Sequence, residues 1–263
     1  ANLVFNRLIR FNSKGELEPE LTESWKISPD GREYVFYLRK GIRFHDGMGF
    51  TSADALYTYK LIRDEATQSP YFSSMKDVES FSAPDAHTFK IILKNPNSSF
   101  IYELNREILP KHLYENTDVH ANAYNHSPVG TGPFTFKKWT KDDQILLDAN
   151  PDYFEGAPKL EHILFRTYQD RQAVWNALMR GEVDMIRFIS VENYELTQED
   201  ASFETYVSPV PDYFVLAYDL KDSLLSDIRV RQAIGYAINR KELIDKVERG
   251  HAAECLGPFQ KDS

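Results

Sequence analysis

One cysteine, Cys255, stands in 263 residues. A single thiol permits no intramolecular disulfide and no paired-cysteine zinc site, and a lone cysteine of this kind is by habit a buried or incidental one. No apolar run approaches the roughly 18 residues that a membrane-spanning helix needs. The opening "ANLVFNRLIRF" is no secretory leader; it already reads as a folded strand or helix, so if the protein is exported its leader lies outside this sequence. Basic residues form no stripe and go no further than pairs such as Lys137-Lys138, and the formal net charge is −9. That balance argues against nucleic acid and anionic membranes as partners.

Catalytic signatures are missing too. "GTGPFT" has two glycines of a phosphate loop, but Pro133 removes an N–H that a phosphate would use. There is no Gly-x-Ser-x-Gly elbow, and the seven histidines show neither helical i, i+4 pairing nor a metal-site spacing. His45 and Asp46 are adjacent; neighbours on a strand point to opposite faces, and an Asp before Gly already serves a turn. Both therefore read as scaffold. The 40 acidic residues guarantee chance carboxylate pairs, so a glycosidase-like dyad is not excluded by counting, but no positive sign favours one.

Aromatics are plentiful, with 15 Tyr and 17 Phe. An amphipathic pocket would use so many tyrosines, and so would an edge-rich β-protein. Strands and helices alternate without a strict βαβ rhythm, which predicts a mixed α+β fold. Residues 21–47 read as a β-meander, with Tyr34, Phe36 and Leu38 alternating against Glu33, Val35 and Tyr37 and with turns at Pro29-Asp30-Gly31 and Asp46-Gly47. Trp25 is expected buried there. Thr51 or Ser52 caps a helix that carries Leu56, Tyr59 and Ile62. A hairpin over 78–94 and short helices over 98–105 and 110–115 come next. The Pro/Gly-dense stretch "NAYNHSPVGTGPF" marks a crossover or boundary. Beyond it come a strand pair, a strand in "LEHILFRTY", a helix from Asp170 to Gly181, a strand in "EVDMIRF", a strand in "YFVLAYDL" buried on both faces, and two helices, the first capped by Asp227, with Asn239 between them. This pattern places one structural unit over about 1–132 and another over 133–256.

The stretch "PELTESWKISPDGREYVFYLRKGIRFHDGMGFTSADALYTY" resembles the signature region of the family 5 extracellular solute-binding proteins, the oligopeptide, dipeptide and nickel receptors of ABC importers. "SPVGTGPF" with Trp139, "NPDYFEGAPKLEHILF", "GEVDMI" and "DIRVRQAIGYAINRKELID" come after it in the same order, so the resemblance spans nearly the whole chain. It implies lobe I of a type II (class C) periplasmic-binding-protein-like clamshell, with the second lobe absent from this chain. Residues 1–132 would be the smaller subdomain of lobe I, 133–256 its larger mixed-sheet subdomain, and 257–263 the start of a hinge. A fragment or truncated chain is the expectation.

The implied function is non-enzymatic capture of peptides or small peptide-like or chelate solutes, and their delivery to the permease subunits of an ABC transporter. A monomer without cofactor, metal or catalytic residues is implied, periplasmic or extracellular, with lipoprotein tethering compatible. By position in the motifs the resemblance assigns Tyr71, Arg106 and Tyr213 to the ligand; an arginine at 106 suits a planar bidentate partner. A carboxylate-dependent cleft hydrolase and a lobe recruited as a sensor or interaction module are the alternatives, separable from a receptor by turnover or by a protein partner. Which solute is bound is not legible.

Overall fold

Asn12 turns the chain between β1 (Ile9–Phe11) and β2 (Leu17–Pro19), its side chain accepting from the N–H groups of Lys14 and Glu16. The structure, a computed structural model, describes residues 2–207 and 214–255. Strands β3 (Thr22–Ile27), β4 (Glu33–Leu38), β5 (Val78–Asp85) and β6 (Thr88–Leu93) form an antiparallel sheet in the order β3-β4-β6-β5. The period-two pattern of the meander is realised: Tyr34, Phe36 and Leu38 are buried with Phe89, Ile91 and Leu93 of the neighbouring strand. Trp25, opposite Phe36, is half-buried at the border of this core rather than inside it, because β3 is an edge strand. Between β4 and β5 runs α1 (Ser52–Arg63), which lays Ala55 and Tyr59 on the sheet. Its N-terminus is a capping box: Thr51 accepts from the Ala53 N–H, and Asp54 accepts from the Thr51 N–H at 2.8 Å.

Two short elements take the places expected of helices over 98–105 and 110–115. They are a 3-10 turn, Phe100–Leu104, and α2 (Lys111–Tyr114). The glycine-rich loop then packs by backbone. The Gly132 N–H donates to the Val4 carbonyl at 2.8 Å, and a Cβ on Gly130 would stand 1.9 Å from that same oxygen. Only glycine fits this approach. It stitches the N-terminal segment to a second sheet, β7 (Phe134–Thr140), β8 (Gln144–Ala149) and β9 (His162–Arg166), around a small core of Val4, Phe134 and Leu147.

The chain divides into compact units at 1–167 and 168–263. The expected boundary at 132/133 falls inside the first unit, where it lies between the four-stranded sheet and the three-stranded one. In the second unit, α3 (Arg171–Met179) is capped by Asp170, which accepts from the Ala173 N–H at 2.7 Å, and Gly181 comes after it at φ +69°. Helix α4 (Val191–Glu199), capped by Ser190, has no counterpart in the sequence expectation. Helix α5 (Ile228–Ala237) is capped by Asp227, and Asn239 caps the short helical run that leads into a π-type turn at Leu243–Val247. Two expectations fail here. "EVDMIRF" is not a strand, and the described part of "YFVLAYDL" is neither strand nor buried, with Phe214 98% exposed. A strand needs a hydrogen-bonding neighbour, and among the described residues the second unit holds no strand to supply one. The expected hinge residues 257–263 lie outside the described residues.

Candidate functional site

Tyr71 and Arg106, thirty-five positions apart, meet in the first unit. Tyr71 opens a 3-10 turn, Phe72–Met75, whose last residue is fully buried and anchors the loop. The Tyr71 carbonyl accepts from the N–H and hydroxyl of Ser74, so the ring is carried by a fixed backbone. Arg106 sits between two core residues, Leu104 and Ile108. The Leu104 carbonyl accepts from the buried Tyr59 hydroxyl at 2.7 Å, the Ile108 N–H donates to Asn6, and the Leu109 N–H donates to Thr58. Helix α1 and the N-terminal segment thus clamp this stretch from both sides.

The guanidinium carbon of Arg106 lies 3.8 Å from the Tyr71 ring centroid, a cation–π stack. Nη2 donates to Glu103 Oε2 at 3.0 Å and Nη1 to the Asn105 carbonyl at 3.3 Å. Nε is enclosed and has no acceptor. The Arg106 side chain keeps 19% of its surface, and Tyr71 is 43% exposed. Planar charge and a stacked, partly exposed ring suit a flat anionic or acceptor group. Tyr213, the third residue assigned by resemblance, lies outside the described residues. Glu103 was missed by sequence reasoning; a carboxylate three positions before the arginine was the signal that could have found it.

A neighbouring cavity of about 350 Å³ is lined by Phe5, Arg7, Arg10, Phe11, Tyr153 and Glu155, among others. Its charges answer one another. Arg10 donates to Glu18 at 2.6 Å and to Glu155 at 2.8 Å. Glu20 accepts from Asn6 Nδ2 and from the Arg7 N–H, both at 2.7 Å. Burial pushes the Glu20 carboxyl above its ordinary value, against these hydrogen bonds and the two arginines. Groups so fully engaged hold the fold rather than a solute.

His45 bonds into the glycine loop, with Nε2 at 3.0 Å from the Gly132 carbonyl and Nδ1 accepting from the Gly130 N–H at 3.3 Å. Asp46 accepts from the Met48 N–H at the turn and meets His112 Nε2 at 2.7 Å. Sixty-six positions separate that last pair, so no local spacing announced it. Both residues of the His45-Asp46 dipeptide have scaffold partners. His126 stacks on Trp139. Among the described residues no group of three His, Cys, Asp or Glu could hold a metal ion, and no helix is long and apolar enough to cross a membrane.

The architecture is that of a lobe in the type II periplasmic binding proteins. Two solved structures carry the likeness. NikZ from Campylobacter jejuni, in complex with Ni(L-His), superposes with a TM-score of 0.93 at 29% identity, over 98% of this chain and 52% of that one. AppA from Bacillus subtilis, in complex with a nonapeptide, gives 0.87 at 26%, over 99% and 53%. The family profile described as bacterial extracellular solute-binding proteins, family 5 middle, matches residues 16–263, and the chain belongs to that family. A putative ABC transporter peptide-binding protein of Brucella ovis is 33% identical over 96% of this chain and 49% of its own length. The heme-binding protein A of Haemophilus influenzae is 28% identical over 97% and 51%. The chain spans about half the length of the curated relatives it matches.

Proposed function

We propose that this chain is the solute-contacting half of a receptor that captures peptides or small chelates and hands them to the membrane subunits of an ABC importer. It acts by binding, without turnover, as a monomer in the periplasm or outside the cell. The observation that carries the reading is the Arg106 guanidinium, stacked 3.8 Å over the ring of the partly exposed Tyr71. Tyr71 and Arg106 are the proposed contacts; Tyr213 joins them on the family resemblance alone. Residues 1–132 and 133–256 are proposed as the smaller and larger subdomains of lobe I. The solutes named for the relatives, a nonapeptide and a nickel–histidine chelate, define the panel to try.

A small-molecule site buries roughly 70–90% of its ligand. A clamshell reaches that from two sides, and one lobe supplies one of them. A micromolar receptor has about −8 kcal/mol to divide, and losing several kcal/mol moves binding toward the millimolar range. Titration of the isotope-labelled 263-residue chain with a nonapeptide and with nickel–histidine, followed by NMR, should show millimolar binding with shifts centred on Tyr71 and Arg106. Arg106→Ala should remove them. Shifts confined to another surface, or peptide hydrolysis during the titration, would refute the proposal.

A further inference from the structure

We infer that Glu103 is a built-in competitor for the anionic group of a solute at Arg106, and so a specificity-determining residue. The inference rests on the proposed contact role of Arg106. A guanidinium has five N–H groups in one plane. Here one face is covered by Tyr71 at 3.8 Å, Nη2 is engaged by Glu103, Nη1 by the Asn105 carbonyl, and Nε faces no acceptor. Glu103 is the outer member of the pair, its side chain 43% exposed against 19% for Arg106. The more exposed Glu103 therefore holds the Nη2 contact that an incoming carboxylate would use.

Like charges at such a contact oppose each other, and the solute must displace Glu103 to reach Nη2. The unused Nε shows what displacement gains. Glu103 bonds Arg106 through one oxygen to one nitrogen, whereas a planar carboxylate that turned the fork could take Nε and an Nη together. Leaving an enclosed N–H without a partner is unfavourable, so the present pose is held by Glu103 without being the best available to the guanidinium. Glu103 thus sets a threshold: a weakly held monoanion does not displace it, and a neutral group gains nothing from its removal.

The test compares N-acetyl-L-phenylalanine with its amide, titrated into the 263-residue chain and followed by the backbone amide resonances of Tyr71 and Ser74, which every variant keeps. Glu103→Gln keeps the side-chain shape and removes the charge; Glu103→Ser is the second variant should the first fail to fold. An exposed ion pair is worth up to about 1 kcal/mol, or roughly fivefold in affinity. Glu103→Gln should therefore bind the acid about fivefold more tightly while binding the amide as the parent does. Unchanged acid binding in Glu103→Gln, with weaker binding in Arg106→Ala, would overturn the competitor and leave the site reading standing. Acid binding that is indifferent to Arg106→Ala, or absent from all variants, would overturn both.

Discussion

His45 shows how a residue that reads as chemistry serves as a joint. Its two ring nitrogens demand opposite roles. Nδ1 must accept from the Gly130 N–H, which leaves Nε2 to donate to the Gly132 carbonyl, an oxygen that also accepts from Asn150 Nδ2 at 3.0 Å. Only the neutral imidazole can do both. Burial pushes its pKa below the ordinary 6.5, against the pull of the Gly132 carbonyl and the Asp46 charge. The unfolded chain then takes up a proton at a higher pH than the folded one. The stability this histidine contributes is present above pH 6.5 and is lost as pH falls through the lowered folded value, at up to about 1.4 kcal/mol per pH unit. Glu20 and Asp54 have raised carboxyl values, chiefly from burial, so their contributions run the other way, lost as pH rises. Denaturant unfolding of the parent and of His45→Gln from pH 7.5 downward should isolate the histidine: the difference between the two curves shrinks as the pH drops. A constant difference would mean that the ring is not held neutral. The turn logic that made this dipeptide scaffold was legible in "FHDG". The Gly130 and Gly132 partners, more than eighty positions away, were not.

At the scale of elements, legibility tracked how local the cause was. Caps are local, and Thr51, Asp170 and Asp227 all cap as their sequence context says. The buried stripe of β4 is local in the same sense. Two other strand readings failed for want of a partner. "EVDMIRF" and "YFVLAYDL" have the side chains of strands, but pairing is a property of two segments and one segment cannot reveal it. Helix α1 also carries a long-range duty that its capping box hides. Asp54 accepts from the Thr51 N–H with one oxygen and from the Lys111 N–H, at 2.9 Å, with the other. The carboxylate therefore ties the start of α1 to the start of α2. Thr51→Ala should cost about 1 kcal/mol, the usual worth of a cap. Asp54→Ala should cost about 2–3 kcal/mol, since it strands two partly buried N–H groups. Equal losses in chemical denaturation would mean that the bond to Lys111 contributes nothing.

The whole molecule is uneven, and the unevenness has consequences. Family membership was legible because several motifs recur in order along the chain. The division at 167/168 was not, because the second sheet is joined to the N-terminal segment by backbone hydrogen bonds from Gly132 and Phe134 to Val4 and Leu3. Among the described residues, the buried apolar side chains belong to the first unit except for Trp175 and Ala177. The second unit instead turns Met185, Phe214 and Tyr236 to water, each more than four-fifths exposed. Regions with few buried apolar contacts open at low free energy, and proteases cut what opens. Limited proteolysis of the 263-residue chain should therefore nick residues 168–255 first and leave a resistant fragment of about 1–167. Thermal unfolding followed by tryptophan fluorescence, in variants that keep Trp25 or Trp175 as the sole tryptophan, should match it, with Trp175 reporting an earlier transition than Trp25. A single transition seen identically by both reporters, with early cuts inside the first unit, would mean that the uneven burial does not translate into uneven stability.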